Sequence, residues 1–329
     1  MQPKWVMFML GVLCVCAAVW TGAAASESGA GSPAGAAPSA QDIVGWLPIG
    51  AQSPREDRRR IHPTVQRYGW RGFVERVVAS QIQWGVRRFM IHNPFGTLAS
   101  DQMMQLDQYL DAKRDGHAWA YQDFVEAWRP VTRGDYGEPI QVICYLGAPL
   151  YTAEFVKLYE EGRIDAWMNR AWASVELPLA AGMDLAFDAS ARVEADHPFF
   201  QFAAALRQRG VRVYLEGLPG ADAPHTWDFN FVVTERFVWY LQDTFGALRP
   251  SELTGEIMCL MNRIPRSVDS KQRGWETPFY ARVLRSGYTL GARIDPLMRQ
   301  GIGMQEIMRE AALPGPLAPE PASQSNASQ

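Results

Sequence analysis

The chain has 329 residues, 47% of them hydrophobic and 20% charged, and carries a formal net charge of −3. This is a globular balance, long enough for one large domain or two small ones. The basic excess that a nucleic-acid partner requires is missing, and the short run Arg55–Arg60 reads as a solvated loop.

At the start, Lys4 precedes an apolar run from Trp5 to Trp20, followed by small residues ending at Ala25. That three-part order predicts a signal peptide over residues 1–25, and hence export to the periplasm or the exterior. The apolar run is short against the roughly 20 residues of a membrane span, so a retained N-terminal membrane anchor is the alternative. Cys14 and Cys16 lack the small preceding residue of a lipoprotein signal. Residues 26–41, SESGAGSPAGAAPSAQ, form a linker, and 314–329, PGPLAPEPASQSNASQ, form a tail of the same character. Neither buries enough apolar surface to offset the entropy of ordering, so the folded unit is expected over 42–313. The sequon at Asn326 lies in that tail and carries no meaning in a bacterial-type exported protein.

Within 42–313, strand-like runs alternate with segments of helical period. Strands are predicted at Ile43–Ile49, Arg88–His92, Ile140–Leu146, Met183–Asp188, Val211–Glu216, Phe229–Val233, Glu256–Met261 and Tyr288–Ile294. Helices are predicted at Trp70–Gly85, Thr152–Gly162, Ile164–Ala181, His197–Gly210, Thr234–Phe245, Thr277–Ser286 and Met304–Ala312. Gly85, Gly182 and Gly210 stand where a helix stops before the next strand. The segment 93–138 has no firm pattern.

Eight strands with intervening helices predict a single-domain (β/α)8 barrel, with a doubly wound open α/β sheet as the alternative. An open dinucleotide-binding sheet needs a glycine-rich turn after its first strand, and GWLPIGAQSP at 45–54 does not contain one. Cys144 and Cys259 fall inside apolar strand-like runs and are expected as buried thiols. The five histidines are scattered and no Cys/His spacing resembles a zinc site, so neither a metal nor a cofactor is expected.

A barrel gathers its chemistry at the carboxyl ends of its strands. Those ends carry His92 and Asn93, Asp188, Glu216, Asn262 and Arg293, all polar after mostly apolar strand bodies. In GMDLAFDAS, residues 182–190, side chains alternate so that Asp184, Ala186 and Asp188 face inward with Asp188 at the mouth. In the fifth strand Arg212, Tyr214 and Glu216 face inward, with Glu216 at the mouth. The deeper Asp184 and Arg212 are expected to form a structural ion pair. Two mouth carboxyls on neighbouring strands suit glycoside hydrolysis, in which one protonates the leaving oxygen and the other attacks the anomeric carbon or directs water onto it. Equally, strand-end acids bind loop amides or cap helices.

GMDLAFDAS and VYLEG at 213–217 resemble the fourth and fifth strands of barrel glycoside hydrolases of the α-amylase and α-galactosidase kinds. That resemblance implies Asp188 as nucleophile and Glu216 as general acid/base. Ala186 stands where the amylase kind places an Arg, and Met261-Asn262-Arg263 where it places a His-Asp pair.

Twelve Trp and eleven Tyr would suit a carbohydrate surface, because flat rings with a polar edge stack on pyranose faces. Trp46, Trp84, Trp227 and Trp275 are the loop or strand-end candidates, whereas Trp70, Trp119, Trp128, Trp167, Trp172 and Trp239, and Trp84 as well, sit at helical spacing expected of core. The expected substrate-binding set is therefore His92, Asn93, Trp46, Trp227, Asn262 and Arg293. The expected partner is a carbohydrate, with no nucleic acid and no membrane beyond the N-terminal segment. A barrel that binds carbohydrate without turnover is one alternative, and a metal-assisted hydrolase using His92, Asp188 and Glu216 is another.

Overall fold

Period-2 apolar runs rich in Val, Ile, Leu and Phe form eight strands: β1 Ile43–Pro48, β2 Arg88–His92, β3 Gln141–Leu146, β4 Asp184–Phe187, β5 Val213–Glu216, β6 Asn230–Thr234, β7 Ile257–Leu260 and β8 Thr289–Ala292. In the computed structural model each strand pairs in parallel with the next, and β1 pairs with β8, so the sheet closes into a barrel. The structure describes residues 39–49, 62–92, 121–146, 153–188, 191, 193–217, 223–234, 253–261 and 276–313. The expected signal segment 1–25, most of the linker, the tail, the run Arg55–Arg60, the expected helix beyond Thr234, Asn93, Asn262, Trp119, Trp239 and Trp275 lie outside these residues, and Thr234 itself ends β6. Across the boundary between the expected linker and the folded unit, Ala40–Asp42 form a short 3-10 turn, with the Asp42 carboxylate accepting the Ser39 amide at 2.6 Å.

The barrel is a (β/α)8 barrel in a single domain, with helices packed around the sheet. These are α1 Pro63–Phe73, α2 Ala79–Trp84, α3 Tyr121–Arg133, α4 Ala153–Glu160, α5 Ile164–Ala180, α6 Pro198–Gln208, α7 Glu276–Arg285, α8 Ile294–Gln300 and α9 Met304–Ala312. A π-helical stretch, Val74–Val78, joins α1 to α2. Helix α3 falls in the segment left without an assignment from sequence, where Pro130 interrupts the pattern from inside the helix. Strand β8 is shorter than expected, because Arg293 already caps α8. Gly85 and Gly182 end their helices at φ 118° and 75°, backbone that a side chain would strain.

Helices α1 and α6 begin in the same way, at His62-Pro63 and His197-Pro198. Each imidazole Nδ1 accepts an otherwise orphaned amide, from Thr64 at 3.2 Å and from Phe199 at 3.1 Å, and the proline supplies the first helical residue. Only a neutral ring can accept there. Burial depresses the pKa of both histidines, and burial lowers that of His92, at the end of β2, to about 4. A histidine depressed in the folded state stabilises the protein fully above its unfolded pKa and progressively less as pH falls through the folded value. Stability should therefore be level above pH 7 and decline below about 6.5, with His92 alone worth on the order of 3 kcal/mol by pH 4. Urea midpoints measured between pH 4 and 8 check this, and a midpoint that rises on acidification contradicts it.

Alternate residues of every strand split into two cores. Outward-facing side chains such as Phe89, Leu185, Phe187, Leu215 and Phe231 join the helix side chains in one continuous apolar shell. Trp70, Trp128 and Trp167 are fully buried, with Trp70 5.0 Å from Phe124 and Trp167 5.3 Å from Phe155. Inward-facing side chains fill the barrel: Val44, Met90, Ile143, Ala186, Val232 and Met258 with Tyr214 among them, and Trp46 and Tyr145 toward one end. Cys144 and Cys259 are buried free thiols.

The amino end of the barrel is closed by a polar network. The Arg88 guanidinium meets the Glu256 carboxylate at 2.7 Å and donates to the Gln41 carbonyl at 2.8 Å. Tyr214 donates to Glu256 at 2.8 Å, and Gln141 donates to Asp184 at 2.6 Å. Burial alone would raise the Glu256 pKa, but the Arg88 charge and the donated hydrogen bonds overcome it and hold the carboxyl below its ordinary range. Burial instead dominates at Asp184, whose pKa is raised despite its donors. The expected pairing of Asp184 with Arg212 runs through the backbone, and the Arg212 charge, like that of Arg88, acts to lower the Asp184 pKa. Asp184 accepts the Arg212 backbone amide at 2.8 Å, and a salt bridge in the same layer joins Arg88 to Glu256.

Candidate functional site at the carboxyl ends of the strands

Five consecutive strands each send one polar or aromatic side chain to the carboxyl end of the barrel: Trp46 from β1, His92 from β2, Tyr145 from β3, Asp188 just past β4 and Glu216 from β5. Parallel pairing sets Ala186 beside Tyr214 and Phe187 beside Leu215. Continuing that register by one residue sets Asp188 beside Glu216, on strands that lie about 4.8 Å apart. The Asp188 amide donates to the Leu146 carbonyl at 3.2 Å, which ties the end of β4 to β3.

Tyr145 links the aromatic half of this rim to the acidic half. Its ring lies 4.4 Å from that of His92, and its hydroxyl is hydrogen-bonded to the Asp188 carboxylate. Burial first, and then the charges of Asp188 and Glu216, push its pKa well above the ordinary phenol value. Tyr145 therefore holds its proton at all physiological pH and acts as a donor. Both carboxyl groups thus bear on one buried hydroxyl. No reading from sequence singled out Tyr145. Its signal was present, since Gln141, Ile143 and Tyr145 alternate inward just as Asp184, Ala186 and Asp188 do.

Trp46 and His92 continue the rim, with ring centroids 5.9 Å apart in an edge-on arrangement. His92 is neutral at physiological pH, since burial holds its pKa near 4. Trp46 is 3% exposed, which leaves no open ring face for stacking on a sugar and places it among the interior side chains. The Trp46 Nε1 and His92 Nδ1 atoms are both enclosed and, among the described residues, neither has a hydrogen-bond partner.

Of the remaining expected binding residues, Arg293 is exposed and follows the last residue of β8, so it stands on the same rim. Asn93 and Asn262 lie outside the described residues. Trp227 belongs elsewhere. It precedes β6 by three residues, and its carbonyl accepts the Thr254 amide from the segment entering β7 at 3.2 Å. Its backbone therefore lies at the amino ends of the strands, opposite Asp188 and Glu216. The expected role for Trp227 beside those carboxyls is corrected on that ground, and its side chain packs on the outer apolar shell.

Among the described residues, no three His, Cys, Asp or Glu side chains form a group able to hold a metal ion. His92, Asp188 and Glu216 share the rim without making such a group. Among the same residues no helix is long and apolar enough to cross a membrane. A scan against protein-family models and a search of curated proteins each return no match to the chain.

Proposed function

We propose that the chain is an exported glycoside hydrolase, with Asp188 as nucleophile and Glu216 as general acid/base. The observation that supports this reading is the placement of two carboxyls side by side on neighbouring strands at the barrel mouth, both acting on the hydroxyl of Tyr145. A separation set by adjacent strands favours the retaining geometry, in which the carboxyls are about 5–5.5 Å apart, over the wider inverting one.

In the first step the Asp188 carboxylate attacks the anomeric carbon while Glu216 gives its proton to the glycosidic oxygen, and the bond to the leaving group breaks. In the second step water attacks the resulting glycosyl ester, Glu216 takes the water's proton, and Asp188 leaves as carboxylate. The sugar is released with its original anomeric configuration.

Incubation of the purified chain with a panel of nitrophenyl glycosides tests the reading. Release of nitrophenol, with a first-formed sugar of retained configuration by proton NMR, is the expected result. Sugar binding without release from any member of the panel would instead make this a carbohydrate-binding barrel.

A further inference from the structure

Helices α1 and α6 share a histidine cap, but the two caps differ in what surrounds them. At α1 the proline is exposed and Thr64 is half-buried, so the first turn lies at solvent. At α6 Pro198 and Phe199 are both buried, Phe199 completely. Pro198 has no amide to satisfy, the Phe200 amide donates to the His197 carbonyl at 3.1 Å, and the Phe199 amide rests on the His197 Nδ1 at 3.1 Å. The Phe199 ring in turn lies 5.3 Å from that of Phe187, the last residue of β4 and the neighbour of Asp188. The His197 ring is half-buried, so protons reach it from solvent. Facing it are Tyr159 of α4 at 4.3 Å, Trp167 of α5 at 5.4 Å and, from its own segment, Asp196.

We infer that His197 is a proton-operated latch on the end of β4, whose neutral ring holds the first turn of α6 shut against Phe187 and whose protonation opens that turn and loosens Asp188. A protonated imidazole carries N–H on both nitrogens, so Nδ1 turns from acceptor to donor and confronts the Phe199 N–H. Its charge also stands at the positive end of the α6 dipole. Because Phe199 is completely buried, water cannot replace the lost acceptor while the turn stays shut, and a buried amide without a partner costs free energy. Opening the turn is what brings water to that amide. Burial lowers the pKa of the shut form against the pull of Asp196, so the latch is firm above the ordinary histidine value and weakens as pH falls through the lower one. With the Phe199 ring withdrawn, Phe187 loses a packing partner at the end of β4. The next residue is Asp188, tied to β3 by its amide bond to the Leu146 carbonyl at 3.2 Å. The latch is independent of what Asp188 does, and so stands or falls apart from the glycosidase reading.

Hydrogen exchange of single amides in the full chain, followed by NMR from pH 8 to pH 5 with and without about 1 M urea, tests the latch. Local opening exposes little surface, so urea should hardly change the exchange of Phe199 and Asp188, whereas exchange by global unfolding responds to it. In the wild type the protection factors of Phe199 and Asp188 should be level above pH 7 and fall together by roughly tenfold below about 6.5, the size of a lost helix cap. Leu185, whose amide donates to the Arg212 carbonyl at the other end of β4, should exchange only through urea-sensitive unfolding. His197→Asn supplies an oxygen that accepts the same amide at every pH and leaves His92 in place, so both protection factors should stay within about twofold over the same range. His197→Ser serves the same purpose should the asparagine variant not fold. His62→Asn should leave the wild-type fall unchanged. Four results would each overturn the latch: level protection in the wild type, a fall at Phe199 that Asp188 does not share, a fall that persists in His197→Asn, and exchange of both amides that is wholly urea-sensitive.

Discussion

Arg88→Met should lower the unfolding free energy by about 3–5 kcal/mol, because it leaves the Glu256 carboxyl buried without its guanidinium. The pair lies in the interior of a closed sheet, with the Arg88 side chain 9% and the Glu256 side chain 17% exposed, so solvent does little to screen it. The loss should also depend on pH. In the wild type the Glu256 pKa is depressed, so its stabilising contribution is complete above the unfolded value and is lost as pH falls through the folded one. In Arg88→Met burial acts unopposed by that charge and raises the same pKa, so the variant gains relative stability on acidification. The gap between the two proteins should therefore narrow from pH 7 to pH 4. The double variant Arg88→Met with Glu256→Leu should recover part of the loss, because well-packed apolar side chains replace a buried pair at little cost. Recovery stays incomplete because Tyr214 and Gln141 lose partners in the same layer. Urea unfolding of the four proteins at two pH values reads all of this. A single variant as stable as wild type would mean that the amino-end network is not what closes the barrel's interior.

Asp188→Asn and Glu216→Gln should each abolish most turnover, but differently. Removal of a general acid/base typically costs a factor of about 10²–10⁴. An activated leaving group such as dinitrophenolate departs without a proton, so Glu216→Gln should form the glycosyl ester readily from that substrate and stall at its hydrolysis, showing a burst. Asp188→Asn lacks the attacking carboxylate and should show no burst with any leaving group. Asparagine keeps the side-chain shape beside Tyr145, so an inactive Asp188→Asn with native stability reports chemistry and not folding. The opposite pattern of bursts would exchange the two roles. Unchanged turnover in both variants would remove the pair from the mechanism.

The architecture was legible because its signals are local. The period-2 runs marked all eight strands to within a few residues, and Gly85, Gly182 and Gly210 marked helix ends that the backbone needs at positive φ. Alternation also placed Asp184 and Asp188 on one side of β4, and Tyr214 and Glu216 on one side of β5, since a strand's two faces follow from counting. Helix α3 escaped notice because Pro130 and a polar composition mask its period.

Which residues meet across the barrel could not be counted along the chain. Arg88 and Glu256 are 168 positions apart and come from segments entering β2 and β7, so only closure and stagger of the whole sheet bring them together. The same closure put Tyr145 between His92 and Asp188, turned Trp46 inward, and left Trp227 at the opposite end from the acids. Sequence periodicity determined which face and which end of its own strand a side chain occupies. The neighbours it finds there were decided by tertiary structure, because hydrogen-bond register between strands is a property of pairs distant in the chain, whereas alternation is a property of one strand alone.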